Sequence, residues 1–229
     1  MLGTLPELLS KDREVIAIDL PGCGDSDALA NVAVEVEAYA RTIAGALPAL
    51  ADVPVDVYAR DGGGAVAVAL TQHAPSLIKK VVLDNPSALP PAQRDEIAAR
   101  YAEPIQLDWD GAHLIRLWHA TRDQELYWPW YERTREAVRK NDPDIDPERL
   151  TTEVHAYLKN HESYEDTWKA VLTYPMYELI EKGRDRLVIC GDENGKFVDF
   201  ARAAAGAAFH ALPAGNFARS AAILDLLCE

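Results

Sequence analysis

The sequence predicts an α/β fold, a mostly parallel sheet flanked by helices and carrying a helical insertion. Three observations predict it. Short, nearly continuous apolar runs recur along the chain, as strands buried on both faces require. Helical spacing fills the gaps between them. One long stretch, residues 89–184, is rich in Trp, Tyr and charge and shows no strand pattern.

The first run is Val15, Ile16, Ala17 and Ile18. The others are residues 55–58, 81–83 and 187–190, with a weaker fifth at 208–212. Between the first two, Val36, Tyr39, Ala40, Ile43 and Leu47 repeat at three and four residues and share one helix face. Residues 65–73 continue a glycine-dense turn as a second helix, and residues 218–227 form the last. Within the insertion Leu114, Leu117 and Trp118 share a helical face, and Pro129 is placed to open a helix. The expected organisation is therefore a core of residues 1–88 and 185–229 with a helical cap at 89–184.

Composition narrows the function. A chain of 229 residues fits one large domain, or a core with an insertion, and its 48% hydrophobic content can fill that core. With 23 basic and 37 acidic residues the net charge is −14, which repels phosphate backbones and anionic lipid. The expected partner is a small-molecule substrate or ligand, without nucleic acid or membrane, and a homodimer is compatible. Cys23, Cys190 and Cys228 are too few, and odd in number, for a secreted disulfide framework, so a cytoplasmic setting is expected. No transmembrane run or leader peptide is evident in the sequence.

Three motifs carry less chemistry than they promise. Gly22-Cys23-Gly24 follows a strand as a dinucleotide loop would, but Asp27 stands where a third glycine is needed and would repel a pyrophosphate. The loop "GDENGKF" is one residue short of a nucleotide-phosphate loop and has Phe197 where a magnesium-binding hydroxyl belongs. Asp142, Asp144, Asp146 and Glu153 match a calcium-loop spacing, yet Pro147 sits where glycine must turn the chain. No cofactor and no metal are expected.

The stretch "VYARDGGGAVAVAL" differs. A strand, a sharp turn and a helix place one polar side chain, Asp61, among small neighbours, in the pattern of a nucleophile elbow. Ala59 takes the first glycine position and Asp61 the serine position. The alternative role for Asp61 is to cap the helix that follows.

Several pieces together resemble the α/β-hydrolase superfamily. "VIAIDLPGCGDSD" is similar to its strand-and-loop segment, and "VDVYARDGGGAVAVALTQHAPSLIKKVVLDNP" to its elbow, helix and next strand. "DRLVICGDEN" is similar to the strand leading to its catalytic acid, and "FHALPAGNF" to its last strand and histidine loop. The resemblance implies a hydrolase acting on a small organic molecule of halide, epoxide or ester type. It places the nucleophile at Asp61, as in haloalkane dehalogenases and epoxide hydrolases. The acid position falls on Asn194, with Asp192 and Glu193 beside it, and the histidine position falls on Asn216. Asparagine is no general base near neutral pH. Arg60 and Gly62 would adjoin the nucleophile, and Trp109, Asp110, His113 and Trp118 of the insertion are the expected pocket lining. His210 reads as a packed strand residue, and His73 lies late on the elbow helix.

The family's first strands have no counterpart here. One of them would lie between residues 15–18 and 55–58, and its loop would supply an oxyanion-hole N–H. A degenerate triad and a shortened sheet support a second expectation, a catalytically inactive or truncated relative that binds a ligand or a partner.

Overall fold

Four parallel strands form one sheet in the order β1-β2-β3-β4: β1 (Val55–Arg60), β2 (Ile78–Asp84), β3 (Leu187–Gly191) and β4 (Phe209–Ala211). The computed structural model describes residues 5–11, 13–30, 32–182, 186–213 and 215–228. Val57 pairs with Val81, Leu83 with Ile189, and Ile189 with Phe209. Each strand coincides with one of the expected apolar runs.

The run at residues 15–18 is the exception. It belongs to no strand, and Ile16 and Ile18 are exposed. An apolar run becomes a strand only when a neighbour accepts its backbone hydrogen bonds. Among the described residues no strand lies beyond β1, so β1 is an end strand and this run has no ladder to join.

The chain divides into two compact units. One comprises residues 1–18, 35–92 and 174–229; the other comprises 19–34 and 93–173. The expected boundary at 184/185 lies outside the described residues.

In the sheet unit, side-chain alternation along β2 distributes its apolar residues to both faces. The unit also holds α8 (Met176–Lys182) and α9 (Val198–Ala205), and Val82 joins Cys190, Leu212 and the apolar sides of α1 (Leu5–Leu9) and α10 (Asn216–Cys228) in one core cluster. Leu83 points the other way, against α3 (Gly63–His73), where Gly64 lies beside its side chain. That helix is buried almost all round and packs on α2 (Val36–Leu50). Val81, Val82 and Leu83 are fully buried, each contributing roughly 1.5–3 kcal/mol of apolar burial.

The second unit is helical, with α5 (Ala112–Leu126), α6 (Pro147–Lys159) and α7 (Tyr164–Thr173) following most of α4 (Pro91–Tyr101). Tyr101 stacks obliquely against Trp128 and Trp168 at 5.8 and 5.3 Å. The segment 19–34 is tied to these helices by the Ser163 hydroxyl, which donates to the Gly22 carbonyl at 2.6 Å. Pro129 does not open a helix. It starts a turn, closed by the Glu132 N–H on its carbonyl, while Trp128 N–H reaches Ala137 and the Trp130 indole reaches Tyr101. Those distant partners hold the segment outside helical geometry. Pro147 does open a helix, α6, and Asp144 and Glu153 both pair with Arg149. No helix among the described residues is long and apolar enough to cross a membrane.

Candidate active site at the strand ends

Two turns leave the carboxyl ends of β1 and β2, where open parallel sheets place their ligands. Each turn begins with a non-glycine residue in the left-handed region: Asp61 after β1 and Asn85 after β2, both at φ 47°. Side chains other than glycine adopt that region reluctantly, Asn and Asp most readily, and such outliers cluster at functional sites.

Backbone bonds fix the Asp61 turn. Its N–H donates to the Asp84 carbonyl at 3.0 Å, and its own carbonyl accepts from Gly64 N–H at 3.2 Å. The N-cap of α3 is Gly62, with no side-chain cap bond, so Asp61 is not serving as that helix's cap. Its side chain is 41% exposed, and Arg60 Nε stands 3.6 Å from Oδ2. Desolvation pushes the Asp61 carboxyl above the ordinary carboxylate range; Arg60 and Lys196 pull it back, and Asp84 adds to the rise. The open side of the carboxyl to solvent limits the shift. The neighbouring glycines are unequal. A Cβ on Gly64 would meet Met176, Pro86 and Leu83 at 3.4–3.5 Å, whereas one on Gly63 would point into open space.

Behind Asp61 lies a buried ion network. Asp84 is fully buried and accepts from the Tyr58 hydroxyl at 2.6 Å and from the Arg219 guanidinium, 2.6 Å at Oδ2. Arg219, on the first turn of α10, also pairs with Asp192, the residue after β3. Burial, with the Asp84 charge beside it, drives the Tyr58 hydroxyl far above its ordinary range, so it remains a donor. Asn85 is fully buried, and its carboxamide has no hydrogen-bond partner among the described residues. It lies between Gly191 and Gly195: a Cβ on either would fall 2.3 or 2.0 Å from its Oδ1. The glycines of "GDENGKF" therefore make room for Asn85, which accounts for their presence without a phosphate.

The expected site residues divide between the two units. In the sheet unit, Asp61, Arg60 and Gly62 are contiguous at the β1 turn. Asn194 is exposed on the loop after β3, where its N–H donates to Asp192 Oδ1 at 2.7 Å. Asn216 is exposed as the first residue of α10. His73 is exposed at the end of α3, and His210, read as packed, is exposed on β4 because that short strand ends the sheet. In the helical unit, Asp110 Oδ1 accepts from Ala112 N–H at the start of α5, and His113 Nδ1 accepts from Asp108 N–H. Trp118 is half-buried, and Trp109 is 99% exposed.

Sequence reasoning missed Asp84, Asn85 and Arg219. The first two had a signal: an acidic residue and an asparagine directly after an apolar strand, just before proline, in "VVLDNP". Arg219 had none, since it meets Asp84 across 135 residues. No cluster of three or more metal-ligating side chains occurs among the described residues.

The model of the alpha/beta hydrolase fold family matches residues 3–211, nearly the whole chain. The chain belongs to the alpha/beta hydrolase fold family. Solved structures agree on the fold. A thermophilic esterase from Thermogutta terrifontis, solved with malate bound, is 17% identical at a TM-score of 0.65, covering 98% of this chain and 83% of its own. A hydrolase from Pseudomonas aeruginosa is 20% identical at 0.62, over 92% of this chain and 78% of that one. A hydrolase from Oleispira antarctica is 14% identical at 0.65, over 99% and 85%. None of the curated proteins compared matches this chain. Within this family fold the sheet comprises the four strands described, with β1 at its end.

Proposed function

We propose that this alpha/beta hydrolase family member is a hydrolase of a small organic substrate of halide, epoxide or ester type, with Asp61 as nucleophile. The observation that carries the reading is Asp61 itself: a carboxylate at the tip of a left-handed strand-to-helix turn, half open to solvent and fixed by its backbone. A raised pKa makes the ionised carboxylate more basic and a better nucleophile once deprotonated. In the first step a carboxylate oxygen bonds to the substrate's electrophilic carbon. Halide leaves with the bonding pair, the epoxide opens to an alkoxide that takes a proton from water, or an ester attacked at its alkyl carbon releases its carboxylate. The product is an ester of Asp61. In the second step water adds to that ester carbonyl and gives up a proton to solvent, releasing alcohol and restoring the carboxylate. Three free cysteines support a reducing, cytoplasmic setting.

One observation favours a second reading, a ligand-binding relative without turnover. Arg219 holds both Asp84 and Asp192, the strand-end carboxylates that could orient a base, and the sequence resemblance puts Asn216 at the histidine position. Intact-mass measurement with a panel of haloalkanes and epoxides separates the two. Released product with no lasting mass gain supports the hydrolase. A stable adduct on Asp61, absent in Asp61→Asn, gives a working nucleophile with a stalled release. No product and no adduct across the panel leaves the binding reading.

A further inference from the structure

We infer that Arg219 is the positioning residue of the Asp61 site: its guanidinium joins Asp84 at the end of β2 to Asp192 after β3, and so fixes the main-chain acceptor that holds the Asp61 turn. The inference deepens the nucleophile reading and rests on it only where Asp61 reactivity is concerned.

The geometry forms one connected path. Arg219 Nη2 reaches both oxygens of the Asp84 carboxylate, and Nη1 pairs with Asp192. Arg219 itself is anchored by its N–H on the Gly215 carbonyl, at the start of α10. Asp84 is sealed from solvent, and the Arg219 side chain is 12% exposed, so water screens their attraction poorly. The Asp84 carbonyl then accepts the Asp61 N–H at 3.0 Å. A buried carboxylate stripped of its cation is costly to hold, and its charge is felt by its neighbours. Asp61 is such a neighbour. Arg60 from β1, Asp84 from β2 and Lys196 from the loop after β3 all act on it, with Arg219 and Asp192 standing behind Asp84. Arg219 thus does two things. It keeps the turn in place, and it masks the Asp84 charge that would otherwise oppose ionisation of the nucleophile. Its double engagement also leaves neither carboxylate free to orient a base.

The test is a carbon-detected NMR titration of the Asp61 side-chain carboxyl, which needs no substrate. Arg219→Gln unmasks Asp84 and raises the Asp61 midpoint by about 0.5–1 pH unit. Arg219→Lys returns it at least half-way. Asp192→Asn, which frees the Arg219 charge for Asp84 alone, moves the midpoint in the opposite direction. Loss of either charge also acts through space, so the positioning is read from hydrogen exchange of the Asp61 amide, which donates to the Asp84 carbonyl: Arg219→Gln speeds it, Arg219→Lys restores it at least in part, and unchanged exchange overturns the proposal, while Asp192→Asn keeps the test open if Arg219→Gln fails to fold. Midpoints that stay fixed, or that move the same way in both variants, overturn the proposal. Adduct formation with a haloalkane is followed in parallel. Expected midpoints without any adduct overturn the nucleophile reading alone; an adduct with fixed midpoints overturns the positioning role alone.

Discussion

Asp61 and Asn85 occupy equivalent places on neighbouring strands, at the same φ, and have opposite fates. Asp61 opens a turn into α3, keeps part of its carboxylate in solvent and stands beside Arg60. Asn85 is sealed, its carboxamide pressed between two glycines. One backbone conformation thus serves two ends. At β1 it presents a charge to solvent. At β2 it drives a neutral polar group into the interior, where it fills the space that Gly191 and Gly195 leave. A charge could not take the second place without a partner, since an isolated buried carboxylate would shift its pKa and neutralise. The difference follows from the neighbours: β1 ends the sheet, whereas β2 is flanked on both sides.

The contrast can be broken most severely at Gly195. Gly195→Val drives a side chain into the sealed Asn85 and costs about 1–3 kcal/mol, read as a lower Tm. Asn85→Ala in the same chain recovers part of the loss, because the colliding group is gone. Removing the Tyr58 hydroxyl is milder. Tyr58→Phe deprives Asp84 of one donor while Arg219 stays, and denaturant unfolding registers a loss of about 1 kcal/mol.

At Asp61 the sign reverses. A carboxyl whose pKa is higher folded than unfolded holds its proton longer in the native state. Its contribution is complete at pH below the ordinary carboxylate range and is lost as pH rises through the folded value. Asp61→Asn therefore gains a few tenths of a kcal/mol over wild type at pH 7 after screening by solvent, and loses that gain near pH 3. Melting curves of the two proteins across that range converge on acidification if this is right. The smallest effect belongs to Gly63, whose Cβ direction is empty: Gly63→Ala changes stability by within about 0.5 kcal/mol, and its Tm stays close to wild type.

Much of the fold was legible in the sequence because its signals are local. Runs such as residues 81–83 and 187–190 are strands wherever both faces are covered, and the helix spacing of Val36, Tyr39 and Ala40 buries them as expected. The elbow was legible for the same reason, since its strand, turn and small residues are contiguous. Pro129 and residues 15–18 were misread because their conformations depend on partners elsewhere, distant acceptors for the one and an adjacent strand for the other. The Trp109 reading rested on residue type alone, and aromatic character does not fix burial.

The sequence by itself determined the order of strands and helices, the family, and the carboxylate at the β1 turn. Apolar periodicity and turn chemistry act over a few residues, so they can be read along the chain. Only the tertiary structure decided which carboxylates are neutralised. Arg219 meets Asp84 and Asp192 because the start of α10 converges on the carboxyl ends of β2 and β3. Electrostatics follows distance in space, and no pattern in a linear sequence records it.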